Sequence, residues 1–379
     1  MRAIRPNDAA ITGAGCVTAL GRDLAASHTA VASGDAGIRT LDDTAADSGM
    51  ERAAVIDAPF LRIDVPDEME PQIKFLNGAG ELAVEACTEA IQQAGLMDAP
   101  YEDTMRGLYL SQMDSYDWSC PEFHNAGRAM GDTEEPWDQA AMNKAANRKV
   151  KPFFMLESLK NNAFSFLATW YGLRGANTSV AGFSGPTWTC FDMATRSLAR
   201  GSLDAAIVLG AARPTSGVAR AEMDAQEVEV PAGDGAGAMV LERHEDATKR
   251  GATVHAVILG MGAATIAPDD DDWAPPLEAI VAAASGALEE AGLAPGELGA
   301  VIAPAMGERG LLEALADVPA AAGAPLRAFK PQIGHCGLAA EPVEACLAMA
   351  ALEEEDARPI LVLGAGLLGQ ASALVLARP

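Results

Sequence analysis

Apolar residues occur along this chain in two patterns, as short continuous runs and as longer stretches in which they recur at helical spacing. Continuous runs of strand length predict buried strands. They cover residues 9–17, 108–110, 178–181, 204–209, 254–260 and 300–303. Helical spacing predicts the main helices, over residues 78–95, 186–200, 277–291 and 343–352. Residues 360–377 are uncharged over the length of a short membrane span, but the glycines within them favour two buried strands joined by a turn.

The alternation of strands and helices starts again after Gly251 and follows the same order a second time. Two similar halves of this kind predict a layered α/β fold in which helices pack on sheets. We place the N-terminal half at residues 1–250 and the C-terminal half at residues 251–379.

The most informative stretch is a tight turn between a predicted strand and a predicted helix. The turn carries Phe183 and Ser184, and it is flanked by Gly182 and Gly185. Glycine at these positions lets another group come close to the backbone. Pro186 suits the first turn of a helix, where its missing N–H needs no partner. Ser184 therefore lies where unpaired amides and the positive end of the helix dipole favour a nucleophile or an acyl oxygen.

Two familiar motifs are incomplete in this chain. The G-A-G run at residues 13–15 lacks the third glycine of a dinucleotide-binding turn, because Thr18 occupies that position. The G-x-S-x-G pattern of α/β-hydrolases fails at its last position, which is Pro186. Both departures argue against these two classes of enzyme.

Composition and charge narrow the function further. Apolar residues make up 49% of the chain, which is enough for a large core. The formal net charge of −26 argues against nucleic acid or an anionic membrane as a partner. The 5 histidines show no metal-ligand spacing and the 6 cysteines no C-x-x-C spacing, so we predict no bound metal and free, buried thiols.

The predicted location is the cytoplasm. The N-terminus has no apolar stretch long enough for a signal peptide, and free thiols suit a reducing compartment. We predict no membrane span.

Three stretches of the chain together resemble the β-ketoacyl synthase (ketosynthase) family. Residues 175–211 resemble the region in which a strand delivers that family's nucleophilic cysteine to the start of a buried helix. Residues 11–21, with the sequence ITGAGCVTALG, resemble its opening strand and turn. Residues 329–352 resemble its K-x-x-x-G-H signature and the helix after it. The resemblance covers nearly the whole chain and implies a duplicated thiolase-like fold with the layers αβαβα.

The resemblance also implies a set of site residues. Lys330, His335 and Glu344 match the lysine, histidine and glutamate of the family signature, with its spacing. Ser184 falls on the position of the acylated cysteine, and the backbone N–H groups of Ser184 and Leu367 would form the oxyanion hole. The positions at the gate of the acyl pocket are Phe183, Leu367 and Leu368.

Three departures from the family pattern bear on its chemistry. In the family, the cysteine is acylated and two histidines polarise the malonyl thioester for decarboxylation. Here a serine replaces the cysteine, and no histidine occurs between His255 and His335, where the family has a His-Gly-Thr motif. Leu367 replaces the gating phenylalanine. A helix dipole is worth about 0.3–2 kcal/mol and cannot ionise a serine hydroxyl, so we predict that efficient decarboxylative condensation is lost.

An acyl carrier protein is the partner that the resemblance implies. Acyl groups would arrive on its phosphopantetheine arm, and the chain itself would bind no cofactor. One basic cluster in this acidic chain is either a docking patch for the carrier protein or ordinary surface charge. It comprises Lys144, Arg148, Lys149, Lys151 and Lys160.

Two functions of different class stay open at this point. The first is a condensation-deficient subunit of a type II polyketide, aryl-polyene or fatty-acid system that pairs with an active ketosynthase, as chain-length factors do. The second is a serine-dependent acyltransferase or thioesterase acting on acyl carrier protein or coenzyme A thioesters, with Ser184 as nucleophile and His335 as base. Both a homodimer and a heterodimer with a ketosynthase fit the sequence.

Overall fold

Ten strands of the described chain form one mixed sheet, and two short strands form a separate ribbon. The computed structural model describes residues 1–41, 51–113, 138–149, 159, 161–182, 185–215, 230–267, 277–294, 296–304, 321–354, 358–366 and 369–379. Its strands are β1 (Ala9–Thr18), β2 (Arg39–Thr40), β3 (Arg52–Ala53), β4 (Arg106–Met113), β5 (Asn177–Gly182), β6 (Ala205–Ala212), β7 (Gly235–Arg243), β8 (Ala256–Thr265), β9 (Ala300–Ile302), β10 (Leu326–Arg327), β11 (Ile360–Ala365) and β12 (Gln370–Ala377).

The α-helices cover both faces of the sheet. They are α1 (Leu24–Ala32), α2 (Glu70–Ile73), α3 (Gly78–Ala94), α4 (Gln139–Lys149), α5 (Asn162–Trp170), α6 (Pro186–Ala199), α7 (His244–Lys249), α8 (Leu277–Glu290), α9 (Lys330–Ile333) and α10 (Ala340–Glu354). Among the described residues, none of these helices has the length and hydropathy needed to cross a bilayer.

The sheet repeats one strand order twice. The first five strands from its centre run β1-β7-β6-β4-β5, and the five on the other side run β8-β12-β11-β9-β10. In both sets the first two pairings are antiparallel and the last two are parallel. Antiparallel pairing of β1 with β8 joins the sets, with Ala10 opposite Val257. The order of elements that the sequence predicted to repeat is therefore present as a duplicated topology.

Helices and strands alternate in five layers. Helix α3 packs on β1, β6 and β7, and α8 packs in the same way on β8, β11 and β12. Helices α6 and α10 lie between the two sets of strands, and α10 contacts strands of both sets. Because α10 is enclosed from both sides, it is buried nearly all round and consists mainly of alanine and other small or apolar residues. The layered αβαβα architecture predicted from the sequence is confirmed.

Glycines in the two central strands allow the outer helices to pack closely. A Cβ atom on Gly13 or Gly15 would lie 2.2 or 2.0 Å from a backbone oxygen of α3. A Cβ atom on Gly260 or Gly262 would lie 2.1 or 2.0 Å from a backbone oxygen of α8. The G-A-G run is thus a helix-packing surface, and the C-terminal half uses the same device.

Gly262 provides a stability test with a matched control in the facing helix. We expect Gly262→Ala to lower the free energy of unfolding by about 1–3 kcal/mol, because the new methyl group overlaps the Ala283 carbonyl and backbone must shift. Gly286→Ala is the control, because its new methyl group would lie 3.9 Å from the nearest atom, the Gly262 Cα. That control should keep or raise stability, by up to about 1 kcal/mol of helix propensity. Urea unfolding measures both, and equal effects would contradict this packing.

Candidate active site

Two of the predicted site residues form a buried ion pair. Lys330 begins the short helix α9, and its Nζ donates a hydrogen bond to the Glu344 carboxylate of α10. The same Nζ lies 3.4 Å from the Ala303 carbonyl oxygen at the end of β9. Both side chains are almost inaccessible, at 2% and 1% exposure. The lysine of the K-x-x-x-G-H signature and the glutamate of the helix that follows it are therefore in direct contact.

His335 is held beside this pair by its backbone. Gly334 adopts φ +75, a left-handed conformation that favours glycine, and so turns the chain out of α9. The His335 N–H donates to the Pro231 carbonyl oxygen at 2.8 Å, and the Gly233 N–H donates to the His335 carbonyl oxygen at 2.9 Å. These two bonds fix the position of His335 at the entrance to β7.

The imidazole of His335 is kept neutral. Burial lowers its pKa from 6.5 to about 3, and the positive charge of Lys330 acts in the same direction. Its Nδ1 is buried and has no hydrogen-bond partner among the described residues. The site thus presents a neutral imidazole of very low basicity, next to a lysine that is already paired.

The lowered pKa of His335 predicts how stability responds to acid. The folded protein binds fewer protons than the unfolded chain between pH 6.5 and about 3, so this contribution is fully present above pH 6.5 and is lost as the pH falls through that window. We expect the free energy of unfolding of wild type, relative to His335→Gln, to fall by about 2 kcal/mol between pH 7.5 and pH 5. Carboxyl groups with a raised pKa change the free energy of unfolding in the opposite direction, but they do so equally in wild type and in His335→Gln, so the comparison cancels their effect. Parallel pH profiles of the two proteins would contradict the prediction.

The turn predicted to carry the nucleophile is bordered by described residues on both sides. Phe183, Ser184, Leu367 and Leu368 themselves lie outside the described residues. Strand β5 ends before the turn and α6 begins after it, as predicted. Gly185 has φ +102, and a Cβ atom there would lie 3.2 Å from the Gly366 Cα. The predicted nucleophile turn and the predicted gate turn therefore adjoin each other through their flanking glycines.

The first turn of α6 is also tied to the segment that follows His335. The Thr187 hydroxyl is fully buried and donates to the Leu338 carbonyl oxygen at 2.6 Å. This bond links the N-terminus of α6 to the short helical turn Gly337–Ala339, which leads into α10. The helix that follows position 184 and the loop that carries His335 thus belong to one packed unit.

One acidic residue at the site was not predicted from the sequence. Glu341 lies in the first turn of α10, where its carboxylate accepts a hydrogen bond from the Ser372 hydroxyl. The backbone N–H of Trp188 in α6 donates to the Gly185 carbonyl oxygen at 3.3 Å, and it also favours the ionised form of this carboxyl group. Burial is the main cause that raises the pKa of Glu341 to about 7, and the nearby charge of Glu344 adds to it. A single charge within the otherwise apolar segment between His335 and Glu344 was the signal in the sequence.

The predicted docking cluster is described only in part. Lys144 and Arg148 are exposed on α4, one helical turn apart and so on one face. Lys149 ends that helix, whereas Lys151 and Lys160 lie outside the described residues. Docking of a carrier protein here stays a prediction.

Comparison with known proteins agrees with this fold. Residues 7–247 match the model of the β-ketoacyl synthase N-terminal domain. The chloroplastic 3-oxoacyl-[acyl-carrier-protein] synthase I of Arabidopsis thaliana is 24% identical over 377 residues, which cover 90% of this chain and 75% of that protein.

Solved structures cover the chain almost completely. The ishigamide ketosynthase/chain length factor superposes with a TM-score of 0.78 at 20% identity, over 98% of this chain and 99% of the other. A type II polyketide acyl carrier protein in complex with its ketosynthase matches with a TM-score of 0.75 at 17% identity, over 99% and 100% of the two chains. At these identities the structural likeness shows the fold.

Proposed function

Because this chain belongs to the β-ketoacyl synthase family, we propose that it is a condensation-deficient subunit of a type II polyketide, aryl-polyene or fatty-acid system that pairs with an active ketosynthase. In this role it resembles a chain-length factor, shapes the space for the growing acyl chain and helps to recruit acyl carrier protein. It works in the cytoplasm and needs no cofactor of its own, because acyl groups arrive on the carrier protein's phosphopantetheine.

The observation that carries the proposal is that His335 has no second histidine and no thiol to act with. Condensation in the family needs two histidines and a thiol, whereas this chain has His335 alone after His255 and a serine at position 184. The described histidines outside the site lie elsewhere: His28 in α1, His244 in α7 and His255 just before β8. His124 lies outside the described residues.

The same histidine argues against the serine-dependent enzyme. A general base is most effective when its pKa lies near the working pH. The pKa of His335 is about 3, so it binds a proton from a serine hydroxyl far more weakly than an ordinary imidazole. Lys330 is occupied by Glu344 and is not free to take its place. The structural likeness to the ishigamide ketosynthase/chain length factor supports the partner role.

The edge of the sheet supports pairing with a second subunit. Among the described strands, β5 pairs with β4 only, so one side of β5 has no strand beside it. An unpaired edge strand is a ready template for a strand of another chain. Strand β5 leads directly into the turn at position 184, so a partner bound there would adjoin the site.

Co-purification with a ketosynthase tests the proposed function. A ketosynthase that has the intact cysteine and both histidines is first sought in the reading frames beside this chain's gene, and it is then co-expressed with a tag on one subunit only. We expect a one-to-one complex in native mass spectrometry. Ser179→Lys, at an exposed position of β5, should break the complex, because a lysine on an edge strand opposes strand pairing. Ser202→Lys, at an exposed turn, is the matched control. A stable homodimer that never exchanges with the ketosynthase would contradict the proposal.

A further inference from the structure

An open groove runs along one side of α6, between this helix and β8. It has a volume of about 920 Å³, and residues 2–9 also contribute to its lining. The residues of α6 that line it lie at helical spacing and therefore share one face of the helix. They are Trp188, Asp192, Thr195, Arg196 and Ala199. The groove thus follows α6 over most of its length.

The duplicated topology shows what kind of element fills such a groove. Helices α6 and α10 are counterparts, because α6 lies between β5 and β6 in the chain and α10 lies between β10 and β11, the matching strands of the two sets. Beside α10, helix α1 packs against both α10 and β1. The matching place beside α6, against β8, is the open groove. A helix from another chain would cover this side of α6 as α1 covers α10.

The charges around the groove balance one another. Its charged lining residues are three arginines and three acids: Arg2, Arg5, Arg196, Asp8, Asp192 and Glu290. The whole chain has a formal net charge of −26, so most of its surface repels a second copy. At the groove, two copies can approach each other without this repulsion.

The open side of α6 is also complementary to itself. Asp192 and Arg196 lie one turn apart, and Arg196 Nε donates to Asp192 Oδ1 at 2.7 Å. Met193 lies between them in the chain and is 39% exposed, one of four exposed large apolar side chains among the described residues. A two-fold contact requires that residue i of each copy meets residue j of the other. Two antiparallel α6 helices related by an axis near Ala194 meet this requirement, with Asp192 of each copy opposite Arg196 of the other.

We propose that this side of α6 and the groove beside it bind a second copy of this chain, with the two α6 helices antiparallel. The two Met193 side chains form the apolar centre of the contact and the Asp192 and Arg196 charges form its polar rim. One helix face is a small contact, so the association is weak, with a dissociation constant of about 1–100 μM. A dimer of this strength dissociates readily and is compatible with pairing to a ketosynthase at β5. The inference goes beyond the proposed function and does not rest on it.

Sedimentation of the purified chain tests the apolar centre of the contact. At physiological salt we expect an equilibrium between monomer and dimer. Met193→Ala should weaken self-association at least about fivefold, because an apolar side chain at the centre of an interface contributes most to binding. Met97→Ala is the matched control, because Met97 is 41% exposed and does not line the groove. It should leave the equilibrium unchanged.

Charge reversal tests which residues meet across the axis. Asp192→Arg and Arg196→Asp should each weaken self-association at least about tenfold, because like charges then face each other. An equal mixture of the two variants should associate as wild type does, because opposite charges face each other again in the mixed pair. Asp98→Arg makes the same change of charge at an exposed position outside the groove and should not weaken association. Thermal unfolding of each variant shows that it is folded.

Three results would overturn the proposal. The first is a wild-type chain that stays monomeric throughout the concentration range. The second is a mixture of the two charge-reversed variants that fails to associate. The third is self-association that survives the α6 substitutions and is lost in Ser179→Lys, which would place the contact at the edge of β5. No ketosynthase is present in these measurements, so failure here is distinguishable from failure of the proposed pairing.

Discussion

Replacing Lys330 by methionine is expected to destabilise the protein by about 3–5 kcal/mol, because it leaves the buried Glu344 carboxylate without its cation. Both partners are at most 2% exposed, so water cannot take over the role of the ammonium group. A typical domain has about 5–15 kcal/mol of stability in total, and the loss should therefore be visible as a large shift in urea or thermal unfolding. Lys249→Met, at an exposed position in α7, is the control and should change little.

A double substitution shows whether this loss comes from the unpaired charge. Lys330→Met/Glu344→Met removes both charges, and we expect it to recover most of the stability, because apolar replacements of a buried pair are often neutral. The pKa of His335 should rise in Lys330→Met, since the lysine charge helps to lower it. A double variant that is no more stable than Lys330→Met would contradict the account of this pair.

Replacing Ser184 by cysteine is expected to create a reactive thiol without restoring condensation. A cysteine at a helix N-terminus can have its pKa lowered from about 8.5 to roughly 3.5–7.5, so alkylation by iodoacetamide at pH 7 should be at least about tenfold faster than in the parent protein. Condensation should stay at least about 10²–10³ slower than in an intact ketosynthase, because the second histidine is still missing and the loss of one catalytic hydrogen-bonding group typically costs that much.

Alkylation of the other cysteines should contribute little to this measurement. The native thiols in the described part of the chain are buried, and burial raises the pKa of each: Cys16, Cys87, Cys190, Cys336 and Cys346. Cys120 lies outside the described residues, so the parent protein should carry Cys120→Ser. Peptide mass spectrometry then assigns the label. Alkylation of the variant at the rate of the buried thiols would mean that position 184 does not lie at an activating helix end.

The pH dependence of alkylation in Ser184→Cys also tests the effect of the Glu341 charge. The ionised form of Glu341 is favoured by the Trp188 backbone N–H in the first turn of α6, the helix that follows position 184. An ionised carboxylate at that helix end opposes formation of a thiolate. Adding Glu341→Gln to Ser184→Cys should therefore speed alkylation above pH 7 and leave it unchanged well below. No difference at any pH would place Glu341 outside the electrostatic reach of position 184.

Much of the fold was predictable because strands and helices here follow simple periodicities. Helix α6 begins at Pro186, as predicted. The uncharged residues 360–377 form the two strands β11 and β12, as the glycines among them indicated. Helix α10 starts three residues earlier than predicted, since Pro342 falls in its first turn, where proline is tolerated. Strand β4 is longer than its apolar run, because the backbone of Arg106 and of residues 111–113 pairs with the neighbouring strands β5 and β6.

The site was predictable only where its residues are close in sequence. Lys330, His335 and Glu344 lie within one short stretch, so their spacing carried the signal. The contact of Glu341 with Ser372 and Trp188 joins three elements that are far apart in the chain, and no local pattern encodes it. The same holds for buried Glu242, which accepts hydrogen bonds from Tyr101 and Arg250. The proposed halves at residues 1–250 and 251–379 and the roles of Ser184 and Leu367 stay predictions.

The most direct test of the central claim is to measure product formation from acyl- and malonyl-carrier protein by mass spectrometry. The assay compares this chain alone, the ketosynthase that co-purifies with it alone, and the two together. We predict no elongated product and no acyl adduct from this chain alone, and full product from the pair, unchanged by Ser184→Ala. An elongated or acylated species formed by this chain alone, and lost in Ser184→Ala, would contradict the account.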